Sequence, residues 1–161
     1  MSSALLIERQ GAIATWTLND PATRNALSDA VVDGLLQACA RAAQDATLRT
    51  VVLTGAGERA FCAGADLKPD SSFLQFDYSE THSDYANLLR RANHFDIPLI
   101  ARVNGHVMAG GVGLLSMCDM AIAADDVRIG LPEVKIGAFP MQVASVLQQA
   151  LPGPILRLLR R

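Results

Sequence analysis

Two segments of this chain combine residue types and spacing suited to carbonyl chemistry. They are Ala60-Phe61-Cys62-Ala63-Gly64-Ala65-Asp66-Leu67-Lys68 and Asn104-Gly105-His106-Val107-Met108-Ala109-Gly110-Gly111. In each, glycine and alanine stand where an apolar run gives way to a turn, so bare backbone N–H groups can approach a ligand. Two such turns converging on one point would aim a pair of donors at a single oxygen. That arrangement stabilises negative charge developing on a carbonyl and predicts an enzyme that forms an enolate. Cys62 lies in the first turn, but no neighbour in sequence would depress its pKa, so a nucleophilic role is not expected.

The elements around these turns read as alternating strands and helices. Ala4–Arg9 and Ala12–Leu18 form two short strands joined at Gln10-Gly11, followed by the turn-rich Asn19–Asn25. Ser28 is suited to cap a helix, Asp29 favours its dipole, and Val31, Leu35, Cys39 and Ala42 repeat at helical spacing to about Asp45. Thr50–Thr54 and Leu99–Val103 are continuous apolar runs of the kind buried on both faces, and Met120–Ala124 is a further strand. Helices are predicted over Tyr85–Phe95, over Met108–Met117 and from Leu147 to Leu151, the last broken by Pro152-Gly153-Pro154. The polar stretch Pro69–His82 is either a loop over a site or a surface excursion. This alternation predicts an α/β fold with parallel β-α units, organised as one domain over residues 1–161.

Bulk properties exclude several classes. The chain has 161 residues, is half apolar and 19% charged, and carries a net charge of −2, with no basic stripe to grip nucleic acid. Glu8 and Arg9 interrupt the N-terminal apolar run, so no secretory signal is predicted, and no run nears the roughly 18 apolar residues of a membrane span. Cys39, Cys62 and Cys118 are odd in number and lack metal-ligand spacing, which predicts reduced thiols, a cytoplasmic location and no metal. Neither a phosphate-loop nor a dinucleotide fingerprint occurs. The end of the chain, 155–161, is apolar and basic; it would suit docking on a partner subunit or the stump of a shortened chain.

The order and spacing of five motifs identify a resemblance to the enoyl-CoA hydratase/isomerase (crotonase) superfamily. They are Leu18-Asn19-Asp20-Pro21…Asn25-Ala26-Leu27, Phe61–Lys68, Val103-Asn104-Gly105…Ala109-Gly110-Gly111, Cys118-Asp119, and Gly130-Leu131-Pro132-Glu133…Gly137. The match runs from the first hairpin to about Leu151. It implies a crotonase-like spiral of ββα units with the C-terminal helical region missing, since family members are longer. It also implies an acyl-CoA thioester substrate, with coenzyme A entering as part of that substrate and no permanently bound cofactor. Homo-trimers or hexamers are implied as well.

The same resemblance implies that the N–H groups of Ala65 and Gly110 form an oxyanion hole, Gly110 lying at a helix N-terminus where unpaired donors collect. Arg24, Ala26 and Leu27, with Ala63, Ala65, Asp66, Leu67 and Lys68, would line the nucleotide and pantetheine path. Arg24 and Lys68 are also the cations placed to meet phosphates. Glu133, alone a solvated loop charge, becomes the leading proton-transfer group, because an apolar surround tunes a carboxyl for acid/base work.

Gly113 departs from the pattern. The hydratases resembled carry a second glutamate there, and two carboxylates can hold and activate a water. A single glutamate suffices for a 1,3-proton shift, so the isomerase branch is favoured. Asp77, Glu80 and Asp84 are alternative sources of a second carboxylate, which would restore a hydratase. A non-catalytic acyl-CoA-binding protein is the third reading. His106 is expected to be a packed or surface histidine, and Asp119 to cap or brace the core, rather than to react.

Overall fold

The computed structural model describes residues 3–66, 83–137 and 141–150. Strands β1 (Leu5–Gln10) and β2 (Ile13–Leu18) pair antiparallel, with Gln10 opposite Ile13. Gly11 turns the hairpin at φ 59°, a conformation open to glycine at little cost. Ala14, Trp16 and Leu18 alternate inward along β2 and begin the core. Parallel to β2 run β3 (Thr50–Gly55), β5 (Leu99–Val103) and β7 (Met120–Ala123), giving a five-stranded sheet ordered β1-β2-β3-β5-β7.

A second, three-stranded sheet is built from β4 (Ala60–Cys62), β6 (His106–Met108) and β8 (Ile129–Gly130), all parallel. Helices α1 (Asp29–Ala42), α2 (Asp84–Ala92), α3 (Gly110–Ser116) and α4 (Met141–Ala150) complete the described elements. The chain therefore repeats one unit: β3-β4-α2, then β5-β6-α3, then β7-β8-α4. In each, the first strand joins the large sheet and the second the small one. This is the spiral of ββα units that the sequence resemblance implies.

The small sheet decides the chemistry. Because its strands are parallel and paired Ala60 to His106 and Met108 to Gly130, their C-terminal ends share one edge. The turns after Cys62, Met108 and Gly130 therefore emerge side by side, the usual place for a ligand in an α/β protein. At the opposite end of β4 and β6, two asparagines tie down the crossovers from the large sheet into the small one. Asn25, 1% exposed, donates to the carbonyls of Ala56 and Ala60 at 3.0 and 2.8 Å and accepts from the Asp20 amide. Asn104 accepts from the Gly55 amide at 3.0 Å and donates to the Gly57 carbonyl.

Some boundaries differ from expectation for physical reasons. Ser28 does cap α1, accepting from the Val31 amide, and Ser83 caps α2 in the same way. The apolar helix expected from Met108 starts at Gly110, because Met108 pairs with Gly130 as part of β6. Helix α4 begins at Met141, well before Leu147. Asp84, one of the alternative sources of a second carboxylate, is the first residue of α2, whose Tyr85, Leu88, Leu89 and Ala92 are buried at helical spacing. All four residues of β7 are exposed, Ile122 by 72%. No helix among the described residues is long and apolar enough to cross a membrane. The expected loop over 69–82 and the chain end from Leu151 lie outside the described residues.

Candidate functional site

The turn after β4 is fixed by residues 24–27. Ala63 donates to the Arg24 carbonyl, Leu27 donates to the Gly64 carbonyl at 2.7 Å, and Asp66 donates to the Leu27 carbonyl at 2.8 Å. These bonds make an isolated parallel bridge between Leu27 and Ala65. Leu27 spends both its backbone groups on this bridge, so the Ala65 N–H points to the opposite side. Ala26 and Leu27 thus lie along 64–66, as the sequence motif requires of a shared lining.

The turn after β6 is strained. Ala109 has φ 49° and ψ −121°, a region that costs a side-chain-bearing residue about 1–3 kcal/mol. Its N–H donates to the Gly130 carbonyl at 2.9 Å, which ties the turn to β8. Gly110 opens α3 and no side chain caps that end, so its N–H is one of the donors a helix leaves unpaired.

The two turns interlock. A Cβ on Gly64, itself at φ 95°, would fall 2.7 Å from the Ala109 Cβ and 3.4 Å from the Gly110 nitrogen. A Cβ on Gly110 would fall 2.8 Å from Leu27 Cδ1 and 3.8 Å from the Ala65 nitrogen. Glycine at 64 and 110 therefore lets the Ala65 and Gly110 amides approach one another. Among the described residues, neither N–H meets a backbone carbonyl outside its own helix or strand. Two adjacent unspent donors at a sheet edge are what a carbonyl oxygen needs to become an oxyanion.

Glu133 follows Pro132 in a 3-10 turn, Pro132–Ile136, directly after β8. Its Oε2 is buried without a hydrogen-bond partner among the described residues. Leaving a carboxylate oxygen so placed is costly, which marks it as a group kept for something other than stability. Tyr85, which sequence reasoning treated only as a helix residue, reaches the same place. Its hydroxyl donates to the Gly110 carbonyl at 2.5 Å, and it is 4% exposed. Burial pushes the Tyr85 hydroxyl far above its ordinary pKa, with the nearby Cys62 and Glu133 adding in the same direction. A Cβ on Gly113 would fall 2.0 Å from that hydroxyl, so the tyrosine occupies the space into which a side chain at 113 would project.

The remaining candidates sort by environment. Arg24 is exposed, in a left-handed conformation at φ 59°. Cys62 is fully buried, and desolvation pushes its thiol up to about 12, against a bond from the Gly64 amide. It is a packed thiol, as expected. His106 is exposed and accepts from the Arg128 amide through Nδ1 at 3.2 Å, which braces the entry to β8. Asp119 accepts from the Leu99 amide at 2.8 Å and braces β5. Asp84 lines a surface groove with Leu36, Gln37 and Ala40 of α1, and no residue of that groove belongs to the site. Leu67, Lys68, Asp77 and Glu80 lie outside the described residues. Among the described residues, no group of three His, Cys, Asp or Glu side chains could hold a metal ion.

Comparisons with known proteins agree with this architecture. The family model described as enoyl-CoA hydratase/isomerase matches residues 8–155. The 2,3-dehydroadipyl-CoA hydratase of Escherichia coli is 38% identical over 139 residues, covering 86% of this chain and 53% of the relative. The short-chain-enoyl-CoA hydratase of Clostridium acetobutylicum is 32% identical over 136 residues, covering 84% of this chain and 52% of its own. Among solved structures, Pseudomonas aeruginosa AtuE superimposes with a TM-score of 0.86 at 35% identity, over 96% of this chain and 60% of that one. The chain spans about half the length of the curated relatives it matches.

Proposed function

The chain belongs to the enoyl-CoA hydratase/isomerase family, and from that premise we propose that it acts on an acyl-CoA thioester through an enolate held by the Ala65 and Gly110 amides. The observation that carries this reading is the interlock of Gly64 with Ala109, which brings those two unspent donors together. As a thioester loses its C2 proton, its carbonyl oxygen gains negative charge, so donors fixed in advance act mainly on the transition state. One such donor is worth about 3–4 kcal/mol of barrier.

Glu133 is the proposed proton carrier. It takes a proton from C2 of a 3-enoyl thioester, the electron pair spreads over the dienolate, and the same carboxyl returns the proton at C4. The product is the 2-enoyl thioester, and nothing else is consumed. This isomerase-like reaction needs one carboxylate, and Gly113 offers no second one. Arg24, Ala26, Leu27, Ala63 and Asp66, with Leu67 and Lys68, are proposed to line the path of the coenzyme A moiety. A cytoplasmic trimer or pair of trimers completes the proposal, supported by the three unpaired thiols and by the family.

Hydration is the second reading, favoured by the names of the relatives, most of which are hydratases. As the main reaction it would call for a carboxylate from another position to activate water. The test presents a 3-enoyl and a 2-enoyl thioester separately. Isomerisation of the first, lowered about 10²–10⁴-fold by Glu133→Gln, supports the proposal. Hydration of the second without isomerisation of the first supports a hydratase. Binding with neither reaction leaves a non-catalytic acyl-CoA-binding protein.

A further inference from the structure

Tyr85 is absorbed neither by the oxyanion pair nor by Glu133, yet its hydroxyl touches the residue that carries one of the two amides. It comes from α2, some 25 residues before α3, and its hydroxyl donates to the carbonyl of the first α3 residue. The same hydroxyl sits 3.7 Å from where a Cβ on Gly110 would lie and 2.0 Å from where one on Gly113 would lie. A glycine at 113 is therefore required by the tyrosine, and the tyrosine fills what the glycine leaves open. Val143 of α4 closes the other side, 3.5 Å from the same point. Without the hydroxyl, a polar space about the size of a water would open beside the Gly110 carbonyl.

We propose that Tyr85 is a positioning residue, resting on the proposed function above: its hydroxyl pins the first turn of α3 and keeps water out of the space at position 113, so that the dienolate is reprotonated at C4 and the 2-enoyl product leaves without water adding at its C3. Two physical consequences support this. A hydrogen bond to the Gly110 carbonyl fixes the orientation of the turn that carries the Gly110 N–H, and donors must be held to fractions of an ångström to be effective. A hydroxyl buried to 4% exposure and already committed to a backbone carbonyl is also a poor base, so it blocks the space without itself activating a nucleophile.

The experiment measures kcat, KM and the ratio of hydrated to isomerised product for the full chain and for Tyr85→Phe, with folding checked by thermal melt. The phenylalanine keeps the ring and deletes only the hydroxyl. We expect kcat for isomerisation to fall about tenfold, the weight of one neutral hydrogen bond, with KM within about twofold and the hydrated fraction rising. A purely structural tyrosine would lower both products together and leave their ratio alone, which would overturn the inference while the proposed function stands. If the original chain turns over neither thioester, the proposed function fails and this inference fails with it. Gly113→Ala provides a second route, since its methyl group would drive the hydroxyl off the Gly110 carbonyl. A fall in kcat for isomerisation is expected with the hydrated fraction unchanged, because the methyl group fills the space that the hydroxyl leaves, and the Tyr85→Phe/Gly113→Ala pair should be less than additive in kcat and lose the extra hydration of Tyr85→Phe. If Tyr85→Phe does not fold, Gly113→Ala carries the test alone, and full kcat in a folded Gly113→Ala would overturn the proposal.

Discussion

Gly64→Ala is the sharpest perturbation of the interlocked turns. The new Cβ would lie 2.7 Å from the Ala109 Cβ and 3.0 Å from the Met108 carbonyl oxygen. Restoring an ordinary contact of about 3.4 Å moves the two turns apart by about 0.7 Å, in the direction that separates the Ala65 and Gly110 amides. Misplacement near 1 Å costs up to about 10²-fold in rate, and complete loss of one donor costs about 10²–10³-fold. A fall in kcat between about 10- and 100-fold is therefore expected. Stability should fall too, by about 2–5 kcal/mol, because φ 95° is strained for alanine and the contact is overpacked. Gly11→Ala separates the two effects. It stands at φ 59° with nothing within 4 Å, so it carries the conformational cost without the collision. It should lose about 1–2 kcal/mol in urea and keep its kcat. Ala109→Gly, by removing both the opposing methyl and its own strain, should partly rescue Gly64→Ala. The assay is initial rate at saturating 3-enoyl thioester beside urea melts. Full activity in a folded Gly64→Ala, or equal losses in Gly11→Ala, would refute the reasoning.

Three further outcomes are expected. Asn25→Ala strips three hydrogen bonds from a site 1% exposed, so urea denaturation should show a loss of about 3 kcal/mol or more; a loss under 1 kcal/mol would mean water replaces the side chain. Burial holds the Cys39 thiol up to about 11 and those of Cys62 and Cys118 up to about 12, whereas unfolded thiols titrate near 8.5. The folded chain then binds more protons above about pH 9, so stability falls as pH rises, each thiol contributing up to about 1.4 kcal/mol per pH unit. Melts at pH 8 to 10.5 should show the decline, shallower in Cys39→Ala, and a flat profile would contradict the thiol burial. Trp16, 2% exposed and stacked at a tilt on Phe95 with ring centroids 6.2 Å apart, should cost about 3–5 kcal/mol on truncation to alanine, again by urea melt.

The large sheet was legible because its strands carry their own signals: the continuous runs Thr50–Gly55 and Leu99–Val103, and the alternation of Ala14, Trp16 and Leu18. Ser28 announced its helix through local chemistry alone. The small sheet was not legible as a sheet. Strands of three, three and two residues have no period to detect, and their pairing joins segments more than twenty residues apart. Consequently Met108 was read as helix, although the glycines beside it marked the turn correctly. Tyr85 was invisible for a related reason. On its own helix it reads as one more apolar position, and only the fold reveals that its hydroxyl meets the Gly110 carbonyl and the empty side of Gly113. The glycine-rich turns, by contrast, mark their own need for close backbone approach.

The most direct measurement is a crystal structure of the chain with an unreactive acyl-CoA thioester bound. The thioester oxygen should lie 2.7–3.1 Å from both the Ala65 and the Gly110 nitrogens, roughly in line with their N–H bonds, with a Glu133 oxygen facing C2. An oxygen bound elsewhere, or reached by only one of those amides, would contradict the account.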